Sequence, residues 1–483
     1  MGIVAYLFIA YFVGGNTMYR HDYDSTLEKY GGFIQEMAET AVAKDAFDPD
    51  LYAKYNVKRG LRNSDNTGVL VGLTSIGDVR AYIIEENEKV PIDGKLLYRG
   101  ISVEDLANGF ERDNRCGFEE TAYLLITGNL PTARQLSDFK ALLDEYRRLP
   151  EGFAEDMIMK APSKNIMNKL ARCILASYSY DPNPDDVSYK NVMRQCIRLL
   201  AQMPTMAAYA YQTRCHYYYD ESLYIHNPQK GLSTSENFLQ MIRPDSKFTQ
   251  LEAESLDLAL VLHAEHGGGN NSTFTVHVVT STGTDTYSAM AAATGALKGP
   301  KHGGANHCVM EMIKDMKNHI TDTKDKGQIK DYLIKILDKQ AYDKSGLIYG
   351  IGHAVYTKSD PRAKLLKRKA EELAHAMGQE WVDEFEFYKT VEELAPIAFE
   401  EYKKSSKVMC ANVDFYSGLV YSMLNIPKEL YTPIFAISRM AGWSAHRLEE
   451  LAVSNRIIRP AYKNVGGKQG YIDLSERTES LKI

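Results

Sequence analysis

What the sequence lacks narrows its function first. No CxxC pair, HExxH, GxxxxGK[ST] or GxGxxG occurs in its 483 residues, which removes the zinc-ribbon, zincin, P-loop and dinucleotide-fold readings. The six cysteines (Cys116, Cys173, Cys196, Cys215, Cys308 and Cys410) follow no framework spacing and suit free thiols in a reducing cytoplasm. Charge of one sign is not in excess: 57 basic against 63 acidic side chains leave a net charge of −6, with no global pull on nucleic acid or an anionic membrane. The N-terminal apolar run, Ile3 to Val13, is about 11 residues against the roughly 20 that a spanning helix needs, and no Lys or Arg precedes it as in a secretory signal. We expect no membrane span and no nucleic-acid partner.

Strand-like runs are scarce as well. Residues 67 to 100 alternate apolar and polar residues in short pieces, with Ile76-Gly77-Asp78 and Ile92-Asp93-Gly94 as turn chemistry, and read as a small N-terminal sheet or hairpin. Before them, residues 1–60 read as an extension with one helix from Ser25 to Val42. Its first 17 residues are taken as an upstream-start artefact or a loose tail. From Ser102 onward apolar residues recur at i, i+3, i+4 and i+7, which argues for a mainly α protein and against a doubly wound sheet. The length calls for one large core plus a smaller lobe, and the missing linker implies that the two are interleaved in sequence.

Chemistry concentrates in four segments: LHAEHGGGNNSTFTVH (262–277), LKGPKHGGANH (297–307), GLIYGIGHAVYTKSDPR (346–362) and ANVDFYSGL (411–419). His263 and His266 could share a helix face, but no third ligand sits at a metal-site spacing, so no metal is expected. His302 stands just ahead of a helix N-terminus, where the dipole lowers an imidazole's pKa and favours a neutral ring able to donate N–H to a forming enolate. A capping or core histidine is the alternative. Asp360 and Pro361 read as N-cap and N1 of a helix, which puts Arg362 in the first turn. A cation there either meets an anionic ligand or pairs with a neighbouring acid. Arg439 lies in the otherwise apolar PIFAISRMAGW helix, started by Thr432 and Pro433, and must be paired or face a polar cavity. Between Lys298 and Lys369, 16 Lys or Arg face 8 Asp or Glu, a bias that suits a polyanionic ligand or solvated helix faces.

Taken together, HGGGNNST, GPKHGGAN, GIGHAVYTKSDPRA, NVDFYSG and FAISRMAGW followed by Arg459-Pro460 resemble the citrate synthase family in order and spacing, from about Gly60 to Arg459. The resemblance implies a mainly α, multi-helical two-domain fold, with residues 61–305 and 418–483 as the large domain and 306–417 as a small domain closing over the cleft. It implies that Asp414 removes a proton from acetyl-CoA, that His302 hydrogen-bonds the enolate, and that His353 polarises oxaloacetate and protonates the alkoxide. His266, Arg362 and Arg439 would bind oxaloacetate, with Arg459 reaching in from the second subunit of a homodimer. Leu347, Gly350, Gly352, Lys358 and Asn412 would contact CoA, a co-substrate, with no permanently bound cofactor. A base at Asp414 needs a raised pKa although a helix N-terminus lowers it, a conflict the sequence leaves open. Phe415 and Tyr416 are placed in the cleft. Family members that use propionyl-CoA, the 2-methylcitrate synthases, share these residues, and a catalytically silent relative is the reading from a different class.

Overall fold

The computed structural model describes residues 27–43, 48–65, 67–85, 88–352, 355–403, 409–453, 456–466, 468 and 470–477. The proposed tail before residue 18 and the catalytic candidate His353 lie outside these residues.

The chain divides into two compact units, Met1–Val71 with Pro460–Ile483, and Gly72–Arg459. In the first, a helix over 27–43 presents Tyr30, Phe33, Ile34 and Met37 to solvent. A short helix Asp50–Lys54 and a 3-10 turn Arg59–Leu61 follow, and the C-terminal segment is mostly extended up to a 3-10 turn at Leu474–Glu476.

The second unit carries the chemistry. Its sheet has three antiparallel strands in the order β1 (Gly77–Glu85), β2 (Glu88–Tyr98) and β3 (Ile101–Ser102). The expected turns fall elsewhere: Gly77 opens β1, and Ile92-Asp93-Gly94 runs inside β2. Arg80 faces Lys95 and Tyr82 faces Pro91, so Ile92, Asp93 and Gly94 stand against Ala81 as a bulge. This bulge has a packing purpose. A Cβ on Gly94 would stand 2.1 Å from the Ser359 carbonyl oxygen, its N–H donates to Ser359 Oγ at 3.2 Å, and Ser359 Oγ donates to Asp93 Oδ1 at 2.6 Å. The Gly that resembles a turn residue is there for close approach.

Helices fill the rest, as the 3.6-residue periodicity predicts. Their starts are chemically marked: Thr132, Ser233 and Thr249 head capping boxes, while Asp285, Asp325, Asp360 and Asn412 accept from backbone N–H groups of the first turn. The Tyr431–Val453 helix is the axis of this unit, with Ile434, Arg439, Met440, Trp443, Ser444, His446 and Arg447 all at 0% exposure. It starts at Tyr431, one residue before the expected Thr432. No described helix is long and apolar enough to cross a membrane.

Gly94→Ala is expected to destabilise the protein by about 1–3 kcal/mol, the cost of overpacking a tight contact. Its urea midpoint should fall, whereas Gly109→Ala, with open space around the added methyl, should leave the midpoint unchanged or raise it.

Candidate active site

Arg439 sets the geometry. Its Nε donates to the His263 carbonyl at 2.7 Å, its guanidinium lies 4.8 Å from the Phe435 ring centre, and among the described residues neither Nη nitrogen has a hydrogen-bond partner. Burial is the main reason its pKa is pulled down to about 10, against the opposing field of Glu265. A fully buried guanidinium with two idle nitrogens is costly unless an anion completes it. The demand for a polar partner, read from the apolar helix around it, is left unmet by the protein itself.

Phe435, one turn earlier, is the apolar floor. His263 lies 4.7 Å and His302 6.2 Å from its ring centre. His302 sits in the single turn Pro300–Gly303, directly ahead of the Ala305–His319 helix, as its motif predicts. Its pKa is lowered to about 4, so the ring is neutral near pH 7; the main cause is burial, then the charge of Arg439. The expected direction is right and the expected cause, the helix dipole, is not the leading one.

A hydroxyl orients this ring. Ser272 Oγ is 3.0 Å from His302 Nε2, 3.2 Å from the Trp443 indole nitrogen and 3.0 Å from Asn270 Oδ1. Its own proton goes to Asn270 Oδ1, and its lone pairs face the indole N–H and the His302 ring. The motif reading singles out neither Ser272 nor Trp443, although Ser272 lies inside HGGGNNST.

Arg362 extends from the Pro361–Met377 helix, and of the two readings of its position the pairing with a neighbouring acid is the one observed. Its Nε and Nη2 grip the N-cap Asp360 at 3.1 and 2.8 Å, an acid neighbour that locks the guanidinium in place. Its charge still acts on Asp414, His263 and Arg439. Between Arg362 and His266 stands Tyr356, whose ring centre is 5.7 Å from the guanidinium carbon and 5.6 Å from the His266 ring.

Asp414 occupies the first turn of the Val413–Met423 helix, behind the N-cap Asn412. Solvent reaches part of the residue, yet enough protein surrounds it that desolvation lifts its pKa to about 6, opposed by Arg362 and reinforced by Asp360. Burial is the leading cause, and it acts in the direction a base requires. Asn412 also reaches across to a second segment. Its Nδ2 donates to the Gly352 carbonyl at 2.9 Å, and its backbone N–H donates to the Gly350 carbonyl at 2.9 Å. The candidate CoA loop is thus stitched to the turn that carries the candidate base.

The other expected residues are more scattered. Gly350 and Gly352 adopt positive φ of 79° and 93°, and a Cβ at Gly350 would stand 2.7 Å from Phe415 and Val309 atoms. Leu347, Lys358 and Arg459 are exposed. Phe415 and Tyr416 are not cleft residues. Both are fully buried, Phe415 edge-on to Tyr388 and Tyr416 donating to Glu392 Oε2 at 2.5 Å. The basic bias of 298–369 is largely balanced within the fold: Lys317, Lys324, Lys326, Lys330 and Lys367 pair with Glu384, Asp383, Glu393, Glu401 and Glu392 of the Gln379–Lys403 helix. Most of that stretch is a solvated, ion-paired helix face.

A mainly helical acyltransferase site, with a raised carboxyl, a neutral histidine and buried arginines, is the class these features define. Comparison with known proteins names the family. Residues 65–461 match the model of the citrate synthase C-terminal domain. The chain is 38% identical over 381 residues to the citrate synthase of Haloferax volcanii, covering 78% of this chain and 90% of that one. It is 33% identical over 430 residues to 2-methylcitrate synthase 1 of Corynebacterium glutamicum, covering 87% and 99%. The citrate synthase of Thermoplasma acidophilum, solved as a ternary complex with carboxymethyl coenzyme A and oxaloacetate, superposes with a TM-score of 0.70 at 25% identity, over 87% of this chain and 99% of that one. The chain belongs to the citrate synthase family.

Replacing Arg439 separates stability from binding. Arg439→Met is expected to raise the unliganded protein's stability by about 1–4 kcal/mol in urea, as removal of an unsatisfied buried charge does. It should also abolish the thermal shift that a small dicarboxylate gives the parent protein. A loss of stability would show that the fold itself satisfies the guanidinium.

Proposed function

We propose that this enzyme condenses the methyl carbon of acetyl-CoA with oxaloacetate and hydrolyses the resulting citryl-CoA to citrate and CoA. The observation that carries the reading is the two idle nitrogens of buried Arg439, placed where their charge acts on a carboxyl of raised pKa and on a neutral histidine. An α-proton of a thioester is a weak acid, so its removal needs a base near its working pH and immediate stabilisation of the enolate. Asp414 takes that proton. His302, neutral at pH 7, donates a ring N–H to the thioester oxygen as charge builds there.

The nucleophilic carbon then attacks the carbonyl of oxaloacetate, held by Arg439, Arg362 and His266. Arg362 enters preset by Asp360, which reduces the ordering needed on binding. The new alkoxide takes a proton from His353, and water cleaves the thioester to release CoA as a thiol. The loop from Leu347 through Gly352, with Asn412 and Lys358, receives CoA, and no permanent cofactor enters the scheme. Residues 306–417 act as the small domain that closes over the substrates, against 61–305 and 418–483. Exposed Arg459 is contributed to the second subunit's site in a cytoplasmic homodimer, for which sedimentation should give twice the chain mass of 54.4 kDa. The match to a 2-methylcitrate synthase makes propionyl-CoA the second acyl donor to assay, since one methylene changes pocket affinity by only about 1–3 kcal/mol.

Thiol release from acetyl-CoA in the presence of oxaloacetate tests the reading. Asp414→Asn should lower kcat by about 10²–10⁴, the usual share of a general base. In the parent protein kcat/KM should fall as pH drops through about 6, because protonation removes the base form of Asp414. Undiminished activity of Asp414→Asn refutes the mechanism.

A further inference from the structure

Behind the Arg439 wall runs a chain of four titratable groups that the reaction does not use. Glu450 Oε2 lies 2.7 Å from His277 Nδ1, His277 Nε2 lies 3.0 Å from His446 Nδ1, and His446 Nε2 lies 3.0 Å from Glu265 Oε1. The outer end is only slightly exposed, with His277 and Glu450 side chains at 13% and 10%, while His446 and Glu265 are at 0%. Glu265 immediately precedes His266. Added Cβ atoms on Gly77 and Gly442 would stand 2.6 and 2.4 Å from its carboxylate oxygens, and its backbone carbonyl accepts from Tyr98 at 3.2 Å. It has no room to turn away.

Proton counting constrains this chain. Three links need three hydrogens, but two neutral imidazoles carry only two and ionised carboxylates carry none. All three links form only when the group holds one extra proton, shared as a property of the whole chain. With His446 doubly protonated, Nε2–H goes to Glu265 and Nδ1–H to His277 Nε2, while His277 Nδ1–H goes to Glu450. The remaining charged neighbours favour that placement. Glu449 Oε2 is 3.9 Å from His446 Nδ1, its Oε1 accepts from the Ser75 N–H and hydroxyl, and Arg99 is held off on Ser75 Oγ at 2.7 Å. Arg439 acts on Glu265 from the substrate side. The Glu265 carboxyl is held below its ordinary range, chiefly by His446 against burial, and His277 is lowered by burial and by the charge of His446.

We propose that Glu450, His277, His446 and Glu265 form a one-proton relay that positions the His266 and Arg439 wall and sets its affinity for the dianionic keto acid. Holding the proton, the relay is fully bonded with net charge −1. Losing it on the alkaline side, the relay breaks a link and becomes −2 beside the guanidinium that receives a carboxylate. Affinity for a dianion then falls, while the base at Asp414 stays ionised, so the effect appears in KM for oxaloacetate and not in kcat. These are positioning residues, and this inference rests on the proposed oxaloacetate site.

Glu450→Gln gives a sharp test because its amide N–H supplies the third hydrogen to His277 Nδ1. Two neutral imidazoles then complete all three links at net charge −1 with no extra proton. The parent protein should show a KM for oxaloacetate that rises on the alkaline side, by up to about tenfold per pH unit for a single proton. Glu450→Gln should hold KM within about twofold of the parent's low-pH value across that range, with kcat unchanged, an order-of-magnitude reading of one removed titration. A merely structural Glu450 predicts the parent's pH profile in the variant, and that result overturns the proposal. Nitrogen-15 spectra of histidine-labelled protein supply a second readout that needs no substrate. One shared imidazolium signal among His277 and His446, present in the parent and absent from Glu450→Gln, supports the relay. Two neutral rings in the parent across its folded acid range overturn it. Failure of the parent to condense oxaloacetate would remove the functional reading, and the spectra would then judge the relay alone.

Discussion

The buried guanidinium of Arg439 is the constraint on which the site depends. One nitrogen is used by the His263 carbonyl and fixes the side chain; among the described residues the other two have no hydrogen-bond partner. The same charge lowers His302 and His263, opposes the rise of Asp414 and helps keep Glu265 ionised. Burial is the largest contribution at each of these groups, and the one cation modulates them all. In water the same charge would be screened to a small effect at these separations.

That arrangement requires a rigid frame, and the frame is assembled from close backbone approaches. Gly442 lets the Tyr431–Val453 helix come against the Ala264 carbonyl, and the bulge at Gly94 lets β2 meet the Ser359 carbonyl. Each contact sets the position of a charged group nearby in sequence: Arg439 is three residues before Gly442, and Asp360 follows Ser359. Asp360 then holds Arg362 through two hydrogen bonds. Rigidity here is local, made of short contacts between segments far apart in sequence.

Much of this is legible in the sequence, and the parts that are not share a cause. Helix starts at Asp360 and Asn412, the placement of His302 and the oddity of Arg439 all follow from local chemistry, because capping and amphipathic pattern act within a few residues. Asp414 cannot be settled that way. Its pKa reflects how much protein surrounds it, a tertiary quantity, opposed by the charge of Arg362 from another helix. The bulge at Ile92 to Gly94 reads as a turn because both use Asp and Gly, and only the register distinguishes them. The 298–369 basic excess looks ligand-directed since its acidic partners lie on a later helix. His446 and Glu265, 181 residues apart, offer no local signal of their contact.

The location of titratable groups also explains how one site accommodates opposite protonation demands. In the proposed mechanism Asp414 must be ionised, so its raised pKa puts the lower bound on working pH. His302 is neutral below that bound, so the donor role proposed for it would survive throughout the range in which the proposed base is ionised. The relay behind Arg439 requires the reverse, a proton retained rather than lost, because its three links need one hydrogen more than two neutral rings carry, whereas burial, then the charge of Arg439, keeps His302 neutral. On the proposed mechanism and relay, the pH window of the enzyme is the interval between deprotonation of the base and deprotonation of the relay.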